Sequence, residues 1–224
     1  MPARAKAHRK RVLIVDDHPM MRTGLAQLID NEPDLQVVAE ADTAGQALNL
    51  LASQKFDLAL LDISLPDKNG LELIKDFQSL RPEMPILVVS MHDELIYAER
   101  VLRAGGRGYI MKQAGGQNFL AAIRQVLGGK IFVSEKMSAR IMEVFSGRQS
   151  DHGGSPIGKL SDREFEVFQL IGQGTGTRDI ADQLHLSVKT VEVHRANIKK
   201  KLGTRTATAL VHFAIRWWDS QGRV

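Results

Sequence analysis

The chain has 224 residues, 43% of them hydrophobic, and no apolar run approaches the roughly 20 residues that span a bilayer. This length predicts two globular domains. Cysteine is absent, which excludes disulfides, thiolate metal sites and thiol nucleophiles. The basic start leads directly into Val12-Leu13-Ile14-Val15 and then Asp16-Asp17, without a secretory apolar region. We therefore expect a cytoplasmic protein with no membrane partner.

Charge is distributed unevenly along the chain. The net charge is +5 for residues 1–11, −5 for residues 12–154 and +4 for residues 155–224. An acidic body therefore precedes a basic module. A small basic surplus is typical of a solvated surface as well as of nucleic-acid binding, so charge alone leaves both interpretations open. For the tail, residues 1–10, a disordered appendage and an extra DNA contact are both open.

Short apolar runs alternate with amphipathic stretches between residues 11 and 127. The runs are Val12 to Val15, Leu35 to Ala39, Leu58 to Leu61, Ile86 to Val89 and Gly108 to Met111. Helical periodicity occupies 19–30, 44–53, 70–80, 93–104 and 115–127. The alternation predicts an α/β domain with a five-stranded parallel sheet, doubly wound and flavodoxin-like.

The strand signals stop after this domain. Residues 128–158 are predicted to form a linker that includes a helix near 134–145 and ends in a polar, glycine-rich stretch. Residues 159–219 read as an all-α domain of four helices. Two of them, at 178–184 and 188–202, are joined by a short turn, which is the arrangement of a helix-turn-helix.

Polar residues follow four strands of the predicted sheet. Asp16-Asp17 follows the first strand, Asp62 the third, Ser90 lies at the end of the fourth, and Lys112 follows the fifth. The carboxyl ends of parallel strands meet at one edge, where ligands bind. Three converging carboxylates repel one another unless a hard cation, normally Mg²⁺, joins them. We therefore predict that Asp62 is a carboxylate nucleophile for a phosphoryl group, which Lys112 and Ser90 can contact.

Residues 11–127 resemble a CheY-like receiver domain. The resemblance rests on Asp16-Asp17, the segment Asp62 to Gly70, Ser90, and Gly108 to Lys112. It implies that Asp16, Asp17 and Asp62, with a backbone carbonyl after Asp62, bind Mg²⁺, and that Asp62 takes its phosphoryl group from a sensor histidine kinase. It assigns the conformational switch to Ser90 and Tyr109. It also implies that the domain catalyses its own phosphoryl transfer and dephosphorylation without being a dedicated enzyme.

The helix predicted at 188–202 has one apolar and one polar face. The residues predicted to face inward are Ile180 and Leu184 of the preceding helix together with Val188, Val191, Ile198 and Leu202. The candidate DNA-contacting residues are Lys189, Thr190, Glu192, Val193, Ala196 and Lys200. Residues 159–219 resemble the DNA-binding domain of the LuxR/FixJ (NarL-like) family, through Leu160 to Glu164, Asp179-Ile180-Ala181, Lys189-Thr190-Val191 and Lys201-Leu202-Gly203. This implies double-stranded DNA as a partner, with base reading by the 188–202 helix. Glu192 replaces the family's usual lysine, which predicts an unusual operator preference.

The last predicted helix, about 206–219, is where two such modules pair in the resembled family. Trp217 and Trp218 are the candidate dimer contacts, although core and domain-contact roles are open for both. A homodimer, expected when the protein is active, would place its recognition helices about one DNA turn, roughly 34 Å, apart. An inverted-repeat site is the corollary.

The sequence as a whole predicts a transcriptional response regulator of a two-component system, switched by phosphorylation of Asp62. Two other classes of protein fit the sequence less well. A phosphoryl-handling enzyme would not need the basic helical module. A LuxR-type sensor of small molecules would not need the complete pocket, and failure of Mg²⁺ plus an acyl phosphate to modify the protein would favour that class.

Overall fold

The computed structural model describes residues 9–145, 156–184 and 186–220. The chain divides after Phe145 into two compact units, and each is considered by itself. The glycine-rich part of the predicted linker, most of the basic tail and the turn residue His185 lie outside the described residues. Within the described residues, every helix is too short or too polar to cross a membrane.

The first unit is a five-stranded parallel sheet flanked by helices, as the sequence predicts. The strands, β1 to β5, are Lys10–Val15, Leu35–Ala41, Leu58–Leu61, Ile86–Ser90 and Gly108–Met111, in the order β2-β1-β3-β4-β5. The helices that follow them, α1 to α5, are Pro19–Asp30, Ala44–Ser53, Gly70–Leu80, Glu94–Ala104 and Gly116–Leu127. The prediction of a doubly wound receiver fold is confirmed.

The apolar strands are buried because helices cover both faces of the sheet. Every side chain of β3 and of β4 is buried. Short polar side chains fix where the helices begin: Thr43, Asn69 and Asp93 each accept a backbone N–H of the helix they precede. Gly105 ends α4 with φ of 105°, a left-handed conformation that favours glycine.

The strand order brings the predicted polar residues to one edge. Strand β1 lies between β2 and β3, and Val15 pairs with Leu61, so the residues that follow these two strands are neighbours. On the other side of β3, Ser90 pairs with Met111, and the Lys112 N–H donates to the Ser90 carbonyl at 2.8 Å. The edge is therefore a consequence of register as well as of strand order.

A sixth helix, α6, spans Glu135–Phe145 and belongs to the first unit. The chain that precedes it runs beside β5, where Phe132 forms an isolated parallel bridge to Gly108. The helix itself packs against α4. The predicted boundaries 11–127, 128–158 and 159–219 stay predictions.

Helices are the only regular secondary structure among the described residues of the second unit. A 3₁₀ turn at Pro156–Lys159 precedes α7 to α10, which are Asp162–Gly172, Thr177–Gln183, Val188–Leu202 and Ala207–Ser220. Its core contains Phe165, Phe168, Ile171, Ile180, Val191, Ile198, Leu210 and Ala214. The inward prediction for Val188 is wrong, because this first residue of α9 is 41% exposed and lies at the end of the helix where solvent reaches it.

Candidate functional site

Three carboxylates meet at the carboxyl edge of the sheet. Asp16 and Asp62 are almost completely buried, and Asp17 is partly exposed. Backbone hydrogen bonds position Asp62: its N–H donates to the Val15 carbonyl at 2.8 Å, and the Ser64 N–H donates to Asp62 Oδ1 at 3.3 Å. The structure thus brings together the three residues that the sequence singles out.

Lys112 supplies the pocket's cation. Its Nζ lies 2.7 Å from Asp16 Oδ2 and 2.7 Å from Asp62 Oδ2, and only 4% of its side chain is exposed. Burial works against the ammonium charge, but the hydrogen bonds to Asp16 and Asp62 outweigh it and raise the pKa of Lys112. The lysine is therefore charged and shared between two buried carboxylates.

One ammonium does not balance three carboxylates. Burial raises the pKa of Asp62 above its ordinary value, although Lys112 acts in the opposite direction. Asp16 Oδ2 and Asp17 Oδ1 are also buried, and beyond one nearby nitrogen each, Lys112 Nζ and His18 Nδ1 at 2.7 Å, they have no further polar partner among the described residues. An additional positive charge in the pocket would favour the ionised form of Asp62 and give these two oxygens a further partner.

The donor set fits a hard divalent cation. Asp16, Asp17, His18 and Asp62 each offer one ligand atom, and these atoms all lie within 4.8 Å of one another. Three are carboxylate oxygens, the ligands that Mg²⁺ prefers. Sequence reasoning missed His18, whose Nδ1 is 2.7 Å from Asp17 Oδ1. Its position directly after Asp16-Asp17, at the N-cap of α1, was the available signal.

Ser90 and Tyr109 are both fully buried beside this pocket and are joined through the loop after β4. The Tyr109 hydroxyl donates to the His92 carbonyl at 2.8 Å, and the His92 N–H donates to Ser90 Oγ at 3.2 Å. The His92 ring stacks on Tyr97, with Nε2 2.9 Å from Ser64 Oγ. Burial raises the pKa of Tyr109 far above its ordinary range, so the phenol keeps its proton. His92 therefore links the two predicted switch residues.

Helix α9 presents an exposed polar face in the second unit. Lys189, Glu192, Val193, Ala196 and Lys200 are exposed, and Val193 is 52% exposed despite being apolar. Thr190 instead takes part in the N-cap, because its N–H donates to Ser187 Oγ at 3.0 Å and its hydroxyl lies 2.7 Å from the same atom. Contact of these residues with DNA stays a prediction.

One lysine of the Lys199-Lys200-Lys201 run has a structural partner. Lys201 Nζ lies 2.6 Å from Glu164 Oε2, and the same carboxylate accepts the Ser161 N–H at 2.8 Å. The predicted capping box of Ser161 and Glu164 is present at the start of α7. The charge of Lys201 is thus used inside the unit, to hold the end of α9 to the start of α7.

We expect Glu164→Gln to lower the free energy of unfolding of the second unit by about 1 kcal/mol at pH 7, since glutamine keeps the capping box but loses the charge. Burial opposes ionisation of Glu164, but Lys201 and Ser161 outweigh it and lower its pKa from 4.5. The stabilisation is therefore present above pH 4.5 and lost as pH falls through the folded value. Urea unfolding followed by tryptophan fluorescence measures it. Asp182→Asn, at an exposed carboxylate of α8, is the control. A difference that persisted unchanged in acid would contradict this account.

Trp217 packs inside the second unit. Its ring centroid lies 5.6 Å from Phe165 and 5.2 Å from Phe168, while Trp218 lies 6.4 Å from Trp217. Both indoles are partly buried. These contacts give Trp217 a core role, which the sequence left open, and the dimer role of the pair stays a prediction.

The fold and the pocket define a response regulator, in which a receiver unit precedes a helix-turn-helix unit. Residues 12–124 match the family model of the response regulator receiver domain, and residues 158–214 match that of bacterial regulatory proteins of the luxR family. The chain is 35% identical over 210 residues to the oxygen regulatory protein NreC of Staphylococcus haemolyticus, covering 92% of this chain and 97% of the relative.

Solved structures give the same result. RcsB from Salmonella enterica serovar Typhimurium, bound to promoter rprA in the presence of the phosphomimetic BeF3-, matches with a TM-score of 0.70 and 25% identity, over 93% of this chain and 99% of that chain. A LuxR-family two-component response regulator from Aurantimonas sp. matches with a TM-score of 0.57 and 31% identity, over 62% of this chain and 99% of that chain. The protein belongs to the LuxR family of response regulators and is homologous to the transcriptional response regulators NreC and RcsB.

Proposed function

We propose that this response regulator is switched by phosphorylation of Asp62 and that its α9 helix reads DNA bases. The observation that carries the proposal is the shared position of Lys112, 2.7 Å from both Asp16 and Asp62 at the edge where the strands end. A buried carboxylate pair under one ammonium is suited to hold a phosphoryl group, because the lysine can follow the negative charge from carboxylate to phosphate.

The phosphoryl donor is a phosphohistidine of a sensor histidine kinase. An Asp62 carboxylate oxygen attacks phosphorus, the P–N bond breaks, and the imidazole leaves with the bonding electron pair and takes a proton. To reset the switch, water attacks the phosphorus of the acyl phosphate, the P–O bond to Asp62 breaks, and inorganic phosphate leaves. The chain catalyses both steps by positioning the reacting groups. Both steps take place on its own Asp62, so we propose no dedicated enzymatic activity.

Asp16, Asp17 and Asp62 are the residues that would hold Mg²⁺. The ion, when bound, supplies positive charge to the phosphoryl oxygens and offsets the repulsion between carboxylates. Lys112 then neutralises part of the remaining negative charge. Ser90 Oγ, which accepts from His92 at 3.2 Å, can turn its proton towards the new phosphoryl oxygens. Ser90 and Tyr109 would pass the change on through His92.

The second unit binds double-stranded DNA as a homodimer. The exposed face of α9 offers Lys189 and Lys200 to phosphates, with Glu192, Val193 and Ala196 between them for base edges. RcsB, to which this chain is similar, has been solved as two dimers bound to two parallel DNAs. Trp217 and Trp218 on α10 are the candidate dimer contacts, and an inverted repeat is the matching site.

Glu192→Lys is expected to change which DNA the protein prefers. A carboxylate can accept from cytosine N4 and repels phosphate, whereas lysine donates to guanine or phosphate. We expect non-specific affinity to rise about threefold to tenfold at low salt, with a changed consensus from a randomised-site selection. Arg205→Lys is the control, because it retains the positive charge at an exposed position outside α9. An unchanged consensus sequence for Glu192→Lys would contradict the assignment of Glu192 to base reading.

A DNA-binding titration of selected sites tests the proposed function. Fluorescence anisotropy with the inverted repeat should give tighter binding than with either half-site alone, and sedimentation should show two chains on the repeat. Binding of one chain with equal affinity to half-site and repeat would overturn the dimer model.

A further inference from the structure

The N-terminus of α6 is capped by Ser134, which directly precedes the helix, and by Glu94 of α4. Ser134 is its N-cap: Ser134 Oγ accepts the Met137 N–H at 3.2 Å, and the Ser134 carbonyl accepts the Ser138 N–H at 2.9 Å. In a capping box the third helical residue would be a glutamate or glutamine that accepts the N-cap N–H. Here that residue is Met137, which has no such acceptor.

Glu94 supplies the missing acceptor from α4. Its Oε1 accepts the Ser134 N–H at 2.7 Å. Glu94 is the first residue of α4 and directly follows the Asp93 N-cap, so its carboxylate also lies at the positive end of the α4 dipole. The capping box of α6 is therefore completed by another helix, and its geometry depends on where α4 begins.

The same region is joined to the candidate switch residues. The loop that leads into α4 contains His92, which accepts the Tyr109 hydroxyl and donates its N–H to Ser90 Oγ. On the other side, the Tyr109 N–H donates to the Phe132 carbonyl at 2.9 Å, two residues before Ser134. Tyr109 thus contacts the approach to α4 through its hydroxyl and the approach to α6 through its backbone.

We infer that Glu94 couples the phosphorylation pocket to α6, so that phosphorylation of Asp62 loosens the start of α6 by moving the loop that leads into α4, and Glu94 with it. The inference rests on the proposed function of Asp62. The Glu94 cap is the contact that changes, while the Tyr109–Phe132 hydrogen bond holds the chain before α6 beside β5, and Met137 in the first turn of α6 is buried. Helix α6 precedes the DNA-binding unit in the chain, which makes it a route for the signal along the backbone.

Hydrogen exchange of the full chain tests the static half of the inference. In peptides covering residues 130–145, Glu94→Ala should raise the exchange rate about fivefold, because the hydrogen bond that caps α6 is lost. Glu94→Gln retains a carbonyl acceptor and should keep most of the protection. Glu99→Ala removes an exposed carboxylate of the same helix, which pairs with Arg103, and should leave α6 unchanged. Equal protection in Glu94→Ala and Glu99→Ala would overturn the assignment of Glu94 as the cap of α6.

The same experiment with Mg²⁺ and acetyl phosphate tests the coupling, with the extent of phosphorylation read from intact mass. Phosphorylated wild type should exchange faster in residues 130–145, by about the same fivefold factor. Phosphorylated Glu94→Ala should show no further increase. A phosphorylated wild type with unchanged α6 exchange overturns this inference alone. A wild type that takes no phosphoryl group overturns the proposed function and the coupling with it, while the comparison of Glu94→Ala with Glu99→Ala still tests the cap of α6.

Discussion

Asp62→Asn is expected to abolish phosphorylation by acetyl phosphate in the presence of Mg²⁺. The amide is close to the carboxylate in shape but is not a nucleophile, and Lys112 keeps its 2.7 Å contact with Asp16. Intact mass after incubation measures the phosphoryl adduct, which wild type should carry and the variant should lack. Removal of Mg²⁺ with a chelator should suppress the adduct in wild type to near the level of the variant.

Asp76→Asn is the matched control for this prediction. Asp76 is a partly exposed carboxylate of α3 that pairs with Lys68 outside the pocket, so its loss should leave phosphorylation unchanged. Unfolding of the Asp62→Asn chain should stay cooperative, since a neutral group replaces a carboxylate whose pKa burial already raises. An adduct on Asp62→Asn equal to that of wild type would place the acceptor elsewhere.

Gly70→Ala should destabilise the first unit by about 2 to 3 kcal/mol, which is the cost of overpacking against a fixed backbone. A Cβ at Gly70 would lie 2.6 Å from Ile63 Cα and 2.8 Å from the Asp62 carbonyl oxygen. Relief of that overlap requires the backbone directly after Asp62 to move. We therefore also expect slower phosphorylation of the variant under conditions where it is folded.

Gly24→Ala provides the comparison, because it lies inside α1 and its added Cβ would have no atom within 4 Å. It should raise stability by roughly 0.5 to 1 kcal/mol. Both tryptophans lie in the second unit, so urea unfolding followed by circular dichroism and by fluorescence separates the two units. Equal stability of Gly70→Ala and wild type would show that the loop after Asp62 can shift at no cost.

Much of the fold and the pocket follows from local patterns. Apolar runs bounded by amphipathic stretches predict the strands and helices, and the bounds of β3, β5, α1 and α9 agree with the structure. Carboxylates that follow parallel strands lie at one edge of the sheet, which is why the sequence alone predicts that Asp16 and Asp62 are close together. These features depend on period and direction, and both are properties of short segments.

Contacts between distant segments could not be predicted in the same way. Lys201 looks like part of a basic run, yet it is the partner of Glu164, 37 residues earlier. Glu94 looks like an ordinary first-turn acid of α4, yet it caps α6. Neither side chain carries a local signal of its partner, because such pairing depends on how helices pack and not on sequence periodicity.

The most direct test of the central claim is the affinity for the selected inverted repeat, measured for wild type and Asp62→Asn with and without Mg²⁺ and acetyl phosphate. Phosphorylation should change the wild-type Kd by about fivefold or more, a coupling free energy of about 1 kcal/mol, and should leave Asp62→Asn unchanged. Equal responses of the two proteins, or no response of a wild type shown by mass to be phosphorylated, would contradict the claim that Asp62 controls DNA binding.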